Sequence, residues 1–242
     1  MMIIERVRNV RGKTRYAIAI VLLCGLLAGG FGVSLSLGQD KGKRRVIGEV
    51  TLPLPQTKGK MSLEEALSLR RSIRKFTAER LTIAEVGQLM WAAQGITDKA
   101  RGFRTAPSAG ATYPLEVYLV MPDGFFHYVP TTHRLERLGN EDLRLALGGV
   151  SSTQDYVRDA PLDIVLTGIV ARTAGKYGDR AARYMHFEAG HAAQNVLLQA
   201  TALGLGAVVV GGVADESIQK ILALPADEVP LYIVPVGHPE KK

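Results

Sequence analysis

Cysteine is nearly missing from this chain. Of 242 residues only Cys24 is one, so there is no disulfide framework and no record of a redox compartment. No G-x-S-x-G stretch occurs, which excludes a serine nucleophile elbow, and Cys24 sits in an apolar run unsuited to a catalytic thiol. Internal repeats and low-complexity tracts are absent. An excess of one charge is missing too, once its location is considered. The chain carries 30 Lys+Arg against 23 Asp+Glu, a net +7. Nine of the basic residues (Arg6, Arg8, Arg11, Lys13, Arg15, Lys41, Lys43, Arg44 and Arg45) precede residue 46, with only Glu5 and Asp40 beside them. The remainder holds 21 residues of each sign. A neutral body excludes a general polyanion-binding face, and with it nucleic acid as a partner.

What is present begins with a tripartite N-terminus. Residues 1–15 are basic, and 16–39, YAIAIVLLCGLLAGGFGVSLSLGQ, hold no charge. About 20 apolar residues cross a bilayer. Cationic flanks on both sides predict a signal anchor at 16–39, or a signal peptide cut near Ser34–Leu35–Ser36. Five Lys/Arg precede the segment and four follow closely, which places residues 46–242 outside the cytoplasm. The stretch 40–60 is polar and punctuated by Pro and Gly, a linker or an arm draped on the domain. Residues 61–242 then form one domain with a substantial core.

Helix and strand signals alternate along that domain. SLEEALSL opens on a capping pair, Ser62 and Glu65, and LRRSIR ends the helix. TIAEVGQLMWAAQG repeats the device with Thr82 and Glu85, and Gly95 stops it. EVYLVM and FFHYV flank Pro122–Asp123–Gly124 as a hairpin. Asn140 is placed to cap a short helix, EDLRLAL. LDIVLTGIV has strand length, and AVVVGGV and PLYIVPVG read as two more buried strands. A long helix spans about Arg180 to Leu203. Its stripe of Ala189, Ala192, Ala193, Val196, Leu197, Ala200 and Leu203 suits a central position, because small residues let backbones approach. The expected architecture is α+β, a mixed sheet packed between helices around that central helix.

HFEAGH, 186–191, invites a metal reading, but histidines five apart diverge by about 140° around a helix. Zinc helices space them four apart, so no metal site is expected. The glycines at 204–212 do not follow a strand into a helix, which argues against a dinucleotide fingerprint. LRRSIR is different. It gathers Arg70, Arg71 and Arg74 around the Ser72 hydroxyl, and guanidinium forks match phosphate oxygens. Taken alone it reads equally as an anion site or as a solvated helix end favouring the helix dipole. Two further stretches tip the balance toward a ligand. In APSAGATYPLEVYLV, 106–120, Ser108, Ala109 and Gly110 have almost no side-chain bulk, so a flat ring could lie on their backbone. After the central helix, whose amides include Gln194 and Asn195, Gly211–Gly212 again bares a backbone.

In this order and spacing R-x-S-x-R at 70–74, PSAGATYPLEVYLV, GHAAQNVLLQATALGLG and PLYIVPVGHP resemble the FMN-dependent nitroreductase superfamily. The likeness covers about residues 61–239 and is nearest to the SagB/ThcOx-type dehydrogenases, some of which oxidise azolines in peptides. No single motif is specific; the ordered set is. The resemblance implies an FMN-dependent oxidoreductase that passes a hydride through the flavin. It implies that Arg70, Ser72 and Arg74, with Arg71 beside them, hold the flavin phosphate and ring edge. Ser108, Ala109 and Gly110 would supply backbone from the other subunit of a homodimer, and Gln194, Gly211 and Gly212 would lie at the ring. KYGDR at 176–180 resembles a proton-handling Lys–Tyr pair, which makes Lys176 and Tyr177 the catalytic candidates. A small molecule or peptide is the implied substrate and NAD(P)H an implied partner. Ala111 stands where many family members have a flavin-binding Asn. Rival readings are a membrane-tethered flavin-binding protein without turnover and an anion-binding module without flavin.

Overall fold

The structure is a computed structural model describing residues 44–151 and 154–240, together with Arg6–Val7 and Arg15–Tyr16. Residues 1–41 form a unit of their own, in which β1 (Arg6–Val7) pairs antiparallel with β2 (Arg15–Tyr16). Apart from Tyr16, the expected membrane segment 16–39 lies outside the described residues. Among those described, no helix is long and apolar enough to cross a membrane.

The second unit, 42–242, is built on a seven-stranded sheet. Its chain order is β3 (Gly48–Thr51), α1 (Leu63–Leu69), α2 (Ile83–Gln94), β4 (Ile96–Asp98), β5 (Phe103–Arg104), β6 (Leu115–Met121), β7 (Gly124–Val129) and β8 (Arg134–Gly139). There follow α3 (Arg144–Gly149), α4 (Gln154–Asp159), β9 (Leu162–Ile169), α5 (Ala171–Tyr177), α6 (Ala181–Ala202), β10 (Gly206–Ala207), α7 (Asp215–Ile221) and β11 (Glu228–Gly237). Across the sheet the strands run β10-β11-β9-β6-β7-β8-β3, and β4–β5 is a separate ribbon. The sheet is less mixed than expected. Every pair of named strands is antiparallel, and the parallel component among the described residues is a bridge between Ser72 and Ala207 at the β10 edge.

Period-two alternation explains why this sheet is the middle layer. On β6, Leu115, Val117 and Leu119 point into one core, where they meet Leu89, Met90 and Ala93 of α2 and Ala189, Ala192 and Val196 of α6. Tyr118 and Val120, on the opposite face, enter a second core with Leu147 of α3, Val157 of α4 and Ile218 of α7. Both faces of the strand are apolar because both are covered. α6 keeps its stripe: Ala189, Ala192, Ala193, Val196, Leu197 and Ala200 are all buried.

Local chemistry sets the helix ends. Thr82 and Glu85 form the full reciprocal capping box of α2, whereas Ser62 Oγ accepts the Glu65 amide without a recorded return bond. α2 ends where Gly95 turns extended, and glycine is needed there because a Cβ would sit 2.2 Å from the Trp91 ring. Asn140 does not cap α3. The helix starts at Arg144, whose amide donates to Asp142 Oδ1 at 3.1 Å, so the aspartate takes that task. AVVVGGV is a strand only at its start. β10 ends at Ala207 and Val210 keeps a single two-way bridge to Ile233, because the chain must leave the sheet edge toward Gly211–Gly212. Part of 40–60 is woven into the domain: β3 pairs with β8, and the Arg44 guanidinium reaches the fully buried Glu228 at 2.6 Å.

Candidate active site

The cationic turn is fixed by the end of α1 and by β10. Arg70 closes α1, donating its backbone N–H to Ala66 O. The next residues run beside β10, with Ile73 N donating to Ala207 O at 3.0 Å. Gly206 permits this approach, because a Cβ there would meet Ile73 at 2.6 Å. The turn's side chains are left outward. Arg70 is half-buried, Ser72 and Arg74 are exposed, and the Arg74 guanidinium rests 5.7 Å from the centre of the Tyr156 ring. Among the described residues none of Arg70, Arg71, Arg74 or Lys75 has a carboxylate within 4.0 Å. Arg71 behaves differently from its neighbours: its Nη1 turns back to the Ser68 and Arg70 carbonyls at 2.9 and 2.8 Å, capping α1. Three cations left outward, Arg70, Arg74 and Lys75, on a neutral domain and beside a backbone stripped of side chains, suit a dianionic phosphate. The same chain then reaches Gly211 and Gly212, both exposed, and a Cβ at Gly211 would come 3.1 Å from the Tyr232 ring.

A second group assembles at the other end of α6. Ser108, Ala109 and Gly110 form a tight turn whose Ala109 N–H donates to Glu188 Oε1 at 2.9 Å. Ser108 Oγ accepts the Tyr113 amide at 2.9 Å, and Thr112 and Thr173 hydroxyls meet at 2.8 Å, tying the turn to α5. Lys176 on α5 lies directly over Gly110. Its Nζ is 3.5 Å from the Gly110 oxygen, and a Cβ on Gly110 would be 2.6 Å from Nζ. The Tyr177 ring stacks edge-on against Tyr184 at 5.0 Å, and Tyr184 in turn neighbours Phe187. Lys176 and the small-residue turn, far apart in sequence, are thus brought together. Gln194 is exposed on α6, midway between the two groups, while Asn195 Nδ2 donates to Thr105 O at 3.3 Å. His186 and His191 are both exposed, and His186 Nδ1 donates to its own helix at Ala182 O. Among the described residues no group of His, Cys, Asp and Glu could hold a metal ion.

Reading the sequence for a metal motif at 186–191 passed over the residue that matters there. Glu188 is buried, and burial raises its carboxyl pKa even though Ala109 N–H and the Ser108 hydroxyl stabilise the ionised form. The signal was its helical phase, since 185, 188, 192 and 196 fall on the core-facing stripe. Further out, Glu116 bonds both Arg172 and His127. Burial pushes its pKa up, but His127 and Arg172 outweigh that and hold it at about 2. Arg172 also donates to the Tyr113 carbonyl, so this network buttresses the turn from behind.

A seven-stranded α+β sheet with a cationic turn and a bared loop at opposite ends of its central helix places the chain in a recognisable class. It belongs to the nitroreductase family, whose model matches residues 67–238, and it is an oxidoreductase of that family. A Methanocaldococcus jannaschii protein named as a nitroreductase is 42% identical over 184 residues, covering 74% of this chain and 91% of that protein. The crystal structure of a Ralstonia eutropha protein assigned as a nitroreductase superposes with a TM-score of 0.74 at 32% identity, over 82% and 95% of the two chains. Relatives of the SagB type are among the matches: the trifolitoxin-processing protein TfxB of Rhizobium leguminosarum is 30% identical over 50% of this chain and 35% of its own. The NADPH:FMN oxidoreductase of Vibrio harveyi shares the fold, with a TM-score of 0.56 at 24% identity over 74% of this chain and 69% of that one.

Proposed function

We propose that this chain is an FMN-dependent oxidoreductase of the nitroreductase and SagB-dehydrogenase type, reduced by NAD(P)H and acting on a small molecule or peptide. One observation carries the reading: three outward cations, Arg70, Arg74 and Lys75, without carboxylate partners among the described residues, on a turn sewn to a bare strand of a neutral domain. The names of relatives agree with it, one an NADPH:FMN oxidoreductase and another a trifolitoxin-processing protein. Bound flavin supplies the two-electron hydride chemistry. The chain's own residues do the rest. Arg70 and Arg74 offer guanidinium donors and Ser72 a hydroxyl to the phosphate. The backbones at 108–110 and 211–212 carry little side-chain bulk of their own and offer surfaces that exclude water from a ring. Lys176, over Gly110, holds a proton at Nζ beside that surface, and Tyr177 stands next to it. We also propose that residues 16–39 tether the domain to a membrane.

The site requires two subunits for a geometric reason. Glu188 holds the 108–110 turn, while the cationic turn is bridged to Ala207 beyond the end of α6 at Ala202. The helix between them is about 20 Å long at 1.5 Å per residue. A two-fold axis crossing the middle of α6, near Gln194, sets the clamp of one subunit against the turn of the other and creates two equal sites. The outer faces supply suitable apolar surface, with Phe187 56% exposed on α6 and Leu63 and Leu67 61% and 53% exposed on α1. Light scattering on residues 44–242 is expected to give a two-chain mass; a flavin-loaded particle of one-chain mass would refute the shared site.

The absorption spectrum of the purified full-length chain, recovered from the membrane fraction, tests the central reading. We expect bound flavin that bleaches with NADPH and reoxidises with an acceptor. Lys176→Ala should keep that spectrum while product formation slows by about 10²- to 10⁴-fold, the usual worth of positioned acid–base catalysis. A colourless chain that takes up no FMN sinks the proposal.

A further inference from the structure

The turn proposed to face the flavin is held in an unfavourable backbone. Gly110, Ala111 and Tyr113 have φ of 61°, 55° and 45°, so two of the three left-handed residues carry a Cβ that opposes the conformation. Something must over-determine it. From behind, Thr112 Oγ1 donates to the Ala109 carbonyl at 3.0 Å, and Ser108 O accepts the Ala111 amide at 3.1 Å. Those bonds lie within the turn and move with it. Thr173 and Arg172 hold its far end, at Thr112 and Tyr113, from the side of α5. Glu188 ties its near end to α6, from the buried side, through the Ala109 N–H.

A carboxylate is an expensive choice for that place. Glu188 is 4% exposed and shares its helical stripe with Ala181, Met185, Ala189 and Ala192. An apolar residue would suit the core better. A carboxylate does what none of these could: it accepts a charge-assisted bond from a backbone amide, stronger than a neutral one, at one defined point. Arg104 and His191 supply favourable charge around it. The bonded amide is also adjacent in sequence to Gly110, the residue under Lys176.

We propose that Glu188 is a positioning residue: by fixing the Ala109 amide it holds the 108–113 backbone in its ligand-facing shape before the flavin arrives. This rests on the reading of the site as an FMN site and adds a role to a residue that does not touch the ligand. Ordering the turn beforehand removes an entropy cost from binding, so losing Glu188 should weaken the flavin rather than the fold alone.

The test uses the full chain and four proteins: the native sequence, Glu188→Gln, Glu188→Ala and Ala109→Pro. Proline at 109 deletes the donor without touching Glu188. Ser108, at φ −130° and ψ 137°, already has the backbone that precedes proline, and position 109 begins a helical turn. Hydrogen exchange of the 106–115 segment in the flavin-free protein, and FMN dissociation constants by fluorescence quenching, are read side by side. Glu188→Ala and Ala109→Pro should each speed exchange in that segment and weaken FMN about tenfold or more, as expected for a bond to a charged group. The double variant should be no worse than Glu188→Ala alone, since the bond that Ala109→Pro removes is already gone in Glu188→Ala. Glu188→Gln keeps an acceptor and should stay within about threefold of native. If Glu188→Ala does not fold, Ala109→Pro and Glu188→Gln carry the comparison. Native exchange and native affinity in both Glu188→Ala and Ala109→Pro, or effects that multiply in the double variant, would overturn the role. Absence of FMN binding by the native chain would instead remove the underlying reading, while the exchange measurement still reports whether Glu188 holds the turn.

Discussion

Arg70→Ala combined with Arg74→Ala is expected to strip FMN from the protein and leave the domain folded. Each charge-assisted bond to a phosphate contributes about 1.5–3 kcal/mol, so losing two weakens the flavin by roughly 10²- to 10⁴-fold. The fold should survive because neither side chain belongs to a buried core cluster. Arg74 is exposed and leans on the Tyr156 ring, neither arginine has a carboxylate partner among the described residues, and the turn is pinned to β10 by the backbone of Ile73 and by the bare Gly206. Flavin absorbance per chain after desalting, alongside a melting curve, measures both halves. Full retention of flavin in the double variant would show that the phosphate sits elsewhere. Arg71→Ala offers an internal contrast. Its guanidinium caps the carbonyls of α1, so it should cost a little helix stability and little flavin.

The second large effect concerns Asp163, a group the chemistry does not use. It lies on β9 opposite Val120 of β6 and Pro235 of β11, wholly buried, with neither carboxylate oxygen hydrogen-bonded. The nearby Arg144 cannot serve it, because Asp142 and the Ala160 carbonyl already engage its guanidinium. Burial drives the Asp163 pKa well above the ordinary range, and the attraction of Arg144 only partly opposes this. The folded protein therefore keeps a proton that the unfolded chain releases near pH 4. Below that pH the stabilising contribution is complete. Above it, stability falls by about 1.4 kcal/mol per pH unit until the folded group itself ionises. Asp163→Asn cannot ionise, so its melting temperature should exceed that of the native protein at pH 8 and converge with it toward pH 4. The gap should change by about 3–5 °C for each pH unit in between. Parallel pH profiles for the two proteins would show that Asp163 is compensated in the native fold.

Much of this protein could be read from its residues one segment at a time. Short apolar runs of strand length located β6, β7, β9 and β11, because strands covered on both faces read apolar throughout, and the small-residue stripe located α6. The charge ledger singled out 70–74 on an otherwise neutral domain, and the order of motifs named the family. Where local signals misled, a neighbour decided. Asp142 displaced Asn140 as the start of α3, and AVVVGGV left the sheet after Ala207. No single segment holds the information about which strand pairs with which.

The site divides in the same way. Sequence alone determined the chemistry available: guanidinium groups, one hydroxyl, bare backbone and a Lys–Tyr pair. Only the tertiary structure decided their arrangement. It laid Lys176 over Gly110, placed the buried Glu188 beneath Ala109, and set the cationic turn at the far end of α6 from both. The physical reason is that residue type is a property of a position, whereas a distance between positions 66 residues apart, as between Gly110 and Lys176, is fixed by the packing of α5 and α6 against the sheet. The same packing sends Arg71 back onto its own helix while its neighbours face outward, a difference between adjacent arginines that their shared chemistry does not contain.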